Sequence, residues 1–149
     1  MKVSLRATYG IIAAVDLALH DAAQPVCAKS IAQRQGIPAR FLEQVLHAMK
    51  KAGVVASQRG AQGGYVLGRK ASELSVADIV DALDGPMLKT NGQQPKRSGA
   101  RAAKREALLA QVWDRVKQAE LDVLSEVTVE DLAERQRALE ERQALMYHI

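Results

Sequence analysis

Four polar side chains recur in one stretch of the chain at spacings that suit the reading of base edges: Arg40, Glu43, Gln44 and His47. Steps of three, one and three keep them on one side of an α-helix. Arginine donates to guanine or phosphate, glutamine pairs with adenine, and a carboxylate accepts from the amino group of cytosine. Lys50, Lys51, Arg69 and Lys70 add cations for phosphate oxygens, and Arg59 with Gly60 forms a small charged corner suited to a narrow minor groove. From Lys29 to Lys70 eight basic residues stand against a single acidic one, Glu43, a net +7. From Glu106 to Ile149 five basic residues stand against ten acidic ones, a net −5. A basic block beside an acidic one suits a polyanion on one surface and something else on the other; two ordinary solvated faces are the competing explanation.

The other reactive side chains offer less. Cys27 is the sole cysteine, which excludes a disulfide within the chain and any site that needs several thiolates from it. It falls at the start of a short predicted helix, where unpaired amides favour a thiolate, so an oxidation sensor and an inert apolar cysteine beside Val26 are both open. His20, His47 and His148 are too scattered for a spaced metal motif, and no metal is expected. Glu130-Asp131 reads as charge at a helix N-terminus rather than as an acid–base pair. With no phosphate loop and no nucleophile elbow, neither an enzyme nor a cofactor is expected.

The elements that must hold these residues follow from periodicity. Leu5, Tyr9, Ile12, Val15 and Leu19 predict a first helix over Ser4–His20. A second, short one spans about Ala28–Gln35, with Gly36 as its C-terminal cap. Pro38 fits the first position of a third helix running to Lys51, with Leu42, Val45, Leu46 and Met49 inward. Helix, glycine turn, helix is the helix-turn-helix pattern. Val54–Gln58 and Tyr65–Gly68 around a glycine-rich tip predict a hairpin, with Tyr65 packed beneath it. Ser75 and Thr128, each followed three residues later by Asp, open two further helices. Between them, Thr90–Ala100 is rich in Gly, Gln, Pro and Ser and reads as a mobile loop, and a long helix then covers about Arg101–Leu124. Its Leu109, Val112, Val116, Ala119 and Val123 alternate steps of three and four, a seam for a twin helix.

A chain of 149 residues suits one domain with an extension. Hydrophobic residues make up 48% and aromatics only 3%, so the core must come from small and aliphatic side chains. No apolar run approaches a membrane span of about 20 residues, and the N-terminus lacks the apolar stretch of a signal peptide, so a cytoplasmic protein is expected.

Several segments resemble one family. Lys2-Val3-Ser4 with Tyr9-Gly10 is similar to the opening of the bacterial Rrf-two type winged-helix regulators, "IPARFLEQVLHAMKKAGVV" to their recognition helix and "RGAQGGYVLG" to their wing. The resemblance implies dimerisation through the long helix and DNA contacts from Arg40, Glu43, Gln44, Arg59 and Gly60. Iron–sulfur members carry three cysteines between the fourth helix and the dimer helix, whereas Met87–Arg105 here contains none. "AAKREALLAQVWDRVKQ", "VTVEDLAERQ" and "ALMYHI" look closer to the cluster-free, CymR-like branch associated with cysteine metabolism. That branch implies a redox role for Cys27 and docking of cysteine synthase, with Ile149 as a terminal anchor by analogy; a frayed or dimer-packed tail is the plainer alternative.

The expected protein is therefore mainly α with a small β-hairpin: a winged helix-turn-helix over 1–86, a flexible loop over 87–100, and a dimerisation helix with a C-terminal helix over 101–149. It is expected to be a homodimeric repressor binding a pseudo-palindromic double-stranded operator. Arg40, Phe41, Glu43, Gln44, His47, Lys50, Lys51, Arg59, Gly60 and Arg69 make up the DNA-facing set. A protein-interaction module working through the acidic C-terminal part, or a metal- or cluster-sensing regulator with atypical ligands, are the alternatives.

Overall fold

The computed structural model describes residues 3–20, 23–86 and 99–148. Among them are six α-helices, α1 (Leu5–Ala18), α2 (Ala28–Gln35), α3 (Ala39–Lys51), α4 (Val76–Asp84), α5 (Ala100–Glu126) and α6 (Val129–Met146). Between α3 and α4 lie two antiparallel strands, β1 (Val55–Gln58) and β2 (Gly64–Leu67), and a 3-10 turn over Ala71–Glu73. The expected winged helix-turn-helix with a long helix behind it is the observed fold. Most of the expected mobile loop, residues 87–98, lies outside the described residues.

Three helices, α1, α4 and α6, begin where the sequence supplies a side-chain partner for orphan amides. The Ser4 hydroxyl accepts from the amide of Ala7 and donates to the carboxylate of Asp84, tying the start of α1 to the end of α4. At α4 the Ser75 hydroxyl accepts from the Asp78 amide at 3.1 Å while Asp78 accepts from the Ser75 amide at 3.0 Å. Thr128 and Asp131 repeat this at α6, at 3.1 and 2.9 Å. Aspartate is thus long enough to close both capping boxes. Pro38 sits one residue earlier than expected, as the residue preceding α3, where its carbonyl accepts from Leu42.

The core gathers Ile31, Leu42, Leu46, Met49, Leu74 and Ile79, all fully buried. Gly10 lets α1 cross α4 closely, since a Cβ there would lie 2.3 Å from Leu83 Cδ1. The two capping boxes are also stitched together, the Val76 amide donating to Val127 O at 2.9 Å and the Val129 amide to Leu74 O at 2.8 Å. This bridge delivers Val129 and Ala133 of α6 into the core formed by the N-terminal helices. The chain leaves that core after α4 and returns at Thr128, so α5 is anchored near its C-terminal end, where Leu124 packs on the core. Its 27 residues, about 40 Å of helix, include none that is buried.

Candidate nucleic-acid interface

α3 divides cleanly into two faces. Leu42, Val45, Leu46 and Met49 are buried, while Arg40, Glu43, Gln44, His47, Lys50 and Lys51 are all exposed. At 100° per residue these six span about a third of the circumference, opposite the apolar stripe. Among the described residues none of the six makes a side-chain hydrogen bond or ion pair within the chain, so their donors, acceptors and charges are all available to a partner. Phe41 differs from this set. Its ring is half-buried and meets Tyr9 edge-to-face, centroids 5.5 Å apart at 80°, so the structure turns it from the outward set into an anchor between α3 and α1.

The orientation of α3 is set by what holds α2. Gly36 adopts the left-handed conformation (φ 64°, ψ 34°), which turns the chain between the two helices, and Ile37 is buried in the bend. One carboxylate then fixes the end of α2 to α1. Asp16, only 2% exposed, accepts from Arg34 Nε at 3.1 Å, Arg34 Nη2 at 2.7 Å and Gln35 Nε2 at 2.8 Å. Burial alone would raise its pKa, but the hydrogen bonds from Arg34 and Gln35 outweigh that and hold the carboxyl below its ordinary range. His20 donates from Nδ1 to the Asp16 carbonyl at 2.7 Å, a carbonyl being able only to accept. This clamp escapes sequence reading because Asp16 and Arg34 lie on different elements and each alone reads as a surface charge.

The hairpin pairs Val55 with Leu67 and Gln58 with Gly64, leaving Arg59 to Gly63 as its tip. Arg59 and Gly60 are exposed there, and Gly60 has φ 130°, a conformation that favours glycine. The wing is joined to the helix-turn-helix unit through Val26, which exchanges two backbone hydrogen bonds with Tyr65, at 2.9 and 2.7 Å. A Cβ on Gly64 would strike the Val26 carbonyl at 2.4 Å, so this glycine is what permits the close approach. Tyr65 is accordingly half-buried under the wing. Lys70 is exposed, and Arg69 is partly engaged by Asp78 at 3.5 Å.

Cys27 follows Val26 directly and precedes α2. It is exposed, with Sγ 3.0 Å from the Ser30 hydroxyl. That hydroxyl, helped by the amides of Ser30 and Lys29, lowers the thiol pKa against a small opposing effect of burial. The thiol therefore lies at the junction of wing and α2.

On α5 the expected seam faces outward: Leu109 and Val112 are each 50% exposed, Val116 and Val123 comparably so, and Ala119 is exposed. Leu108 and Trp113 extend this apolar surface and were not in the expected set. Trp113 stands four residues after Leu109 and three before Val116, a spacing that could have revealed it. Among the described residues no group of three or more His, Cys, Asp or Glu side chains is placed to hold a metal ion, and no helix is long and apolar enough to cross a membrane.

Comparison with known proteins agrees with this geometry. Residues 3–135 match the family model Rrf2, described as "Iron-dependent Transcriptional regulator". The chain is 35% identical over 149 residues to the HTH-type transcriptional regulator CymR of Bacillus subtilis, covering all of both chains. It is 34% identical over 140 residues to the regulator IscR of Photorhabdus laumondii, covering 94% of this chain and 84% of that one. The solved structure of CymR (YrzC), "the Global Cysteine Regulator of B. subtilis", superposes with a TM-score of 0.74, covering 91% of this chain and 98% of its own at 35% identity. The oxidised form of Staphylococcus aureus CymR gives 0.68 at 31% identity, covering 90% and 97%. The chain belongs to the Rrf2 family and is a DNA-binding transcriptional regulator of winged-helix fold.

Proposed function

We propose that the protein is a cytoplasmic homodimeric repressor, and not an enzyme, that reads a pseudo-palindromic operator and governs cysteine or sulfur metabolism. The observation that carries this reading is the outward arc of α3, whose polar side chains have no partner among the described residues. Arg40, Glu43, Gln44 and His47 read base edges in the major groove, and Arg59 and Gly60 enter the neighbouring minor groove. Lys50, Lys51, Arg69 and Lys70 take phosphates and make affinity depend on salt. Two such heads are joined through Leu109, Val112, Val116, Ala119 and Val123, with Trp113 beside them, because a 27-residue helix without one buried residue needs a covering surface. The cysteine role rests on likeness to CymR.

Cys27 is proposed as the redox-responsive group: an oxidised sulfur adds bulk where α2 meets the wing, and a relative has been solved in an oxidised form. Cysteine synthase is proposed as a partner of the C-terminus by analogy with CymR-like repressors; Ile149 lies outside the described residues. The family description names iron, but the donor set does not fit a thiolate-held cluster, since the whole sequence contains one cysteine.

The test is fluorescence anisotropy with a duplex from upstream of the protein's own gene and a scrambled duplex, using untreated and peroxide-treated protein. Tight binding to the first alone, lost on oxidation in wild type and retained in Cys27→Ser, is the expected result. Equal affinity for both duplexes would contradict operator reading, and oxidation-insensitive binding would remove Cys27 from the mechanism.

A further inference from the structure

A cleft of about 540 Å³ opens beside the base of the wing, lined by no residue of α3, and lies within the usual size range of small-molecule sites. Its apolar lining comes from Leu17 at the end of α1, from Val26, and from Tyr65 and Leu67 of β2. Charges of opposite sign also line it. Arg69 and Lys70 enter where the chain leaves β2, and Glu130 enters from the first turn of α6. Packing of the 3-10 turn after Lys70 against α6 brings these two ends of the charge pattern to one cavity. Among the described residues Glu130 and Lys70 form no ion pair, while Arg69 is partly engaged by Asp78 at 3.5 Å, so one full charge of each sign remains available to an occupant.

An apolar pocket flanked by a cationic and an anionic group matches one chemical class: a small zwitterion with an apolar side chain. We propose that this cleft binds a free α-amino acid, its carboxylate on Lys70 and Arg69, its ammonium on Glu130, and its side chain against Leu17, Val26 and Leu67. The consequence rests on the proposed phosphate role of Arg69 and Lys70. A carboxylate held by these cations withdraws them from DNA, so the amino acid antagonises operator binding and lowers the salt dependence by up to about two contacts per subunit. The wall supplied by β2 makes the wing sense the same occupant.

The full chain, without DNA, is titrated calorimetrically and melted in the presence of each proteinogenic L-amino acid in turn. For the amino acid that binds, the matching amine lacking the carboxylate and the matching α-hydroxy acid are expected to bind about tenfold more weakly or worse, each having lost a charge-assisted contact. Lys70→Met should weaken the amino acid and the hydroxy acid while sparing the amine. Glu130→Gln should weaken the amino acid and the amine while sparing the hydroxy acid, so retained binding of one analogue reports an intact fold in each variant. No binding or thermal shift with any amino acid, or a hydroxy acid as tight as the amino acid, would overturn the proposal. Operator binding is measured separately without ligand; its absence would strike the repressor reading and leave the cleft result standing.

Discussion

α3 and α5 solve opposite problems with the same kind of helix. In α3 the apolar stripe is fully buried against α1, α2 and α4, and the polar arc is left over. In α5 it is the apolar stripe that is left over, with Leu109, Val112, Trp113, Val116 and Val123 facing outward. A surplus of hydrogen-bonding and cationic groups calls for a polar, anionic ligand, while a surplus of apolar surface calls for another apolar surface. The two helices thus leave two different surfaces uncovered, and on the proposed reading DNA covers one and a second copy the other.

The largest effect is expected from making α5 polar. Val112→Glu with Val116→Glu is expected to yield a folded monomer in sedimentation experiments. Its affinity for a palindromic operator should fall about a hundredfold or more, because the second head no longer acts at high effective concentration. An unchanged dimer would dissociate the apolar surface from assembly.

Weakening the support of α3 comes next. Asp16→Asn leaves Arg34 without its carboxylate and should cost about 2–3 kcal/mol in urea unfolding. The sign of the pH effect follows from the depressed folded pKa: the clamp contributes fully above the ordinary carboxylate value of 3.8 and is lost as pH falls through the lower folded value. Wild type should therefore lose more stability than Asp16→Asn on acidification into that range, read as urea midpoints across pH.

Removal of single reading groups is smaller and changes specificity. Gln44→Ala and Arg59→Ala are each expected to cost about 1–3 kcal/mol and to relax preference at the base pairs they face, as measured across operator variants. Smallest is Lys51→Ala, which should weaken all duplexes alike and reduce the slope of log K against log salt by about one contact per subunit.

Much of this arrangement is legible in the sequence because it is periodic or local. The faces of α3 and α5 follow from residue spacing, and the capping boxes at Ser75 and Thr128 from a four-residue pattern. What is not legible depends on residues that meet only after folding. Ser75 and Thr128 are bridged across more than fifty residues, and this is why α6 shares the N-terminal core. Asp16 finds Arg34 and Gln35 on another helix, and Phe41 finds Tyr9. Phe41 lies at the boundary of the two faces, between exposed Arg40 and buried Leu42, so periodicity alone leaves its position ambiguous.

On the proposed reading, two copies joined along α5 present two α3 helices to one duplex. Selection of bound duplexes from a random-sequence pool tests it most directly. The expected result is enrichment of an inverted repeat whose half-sites lie about one helical turn apart, or a multiple of it, and loss of that symmetry with Val112→Glu and Val116→Glu. Enrichment of a single unrepeated half-site by the wild-type protein would contradict it.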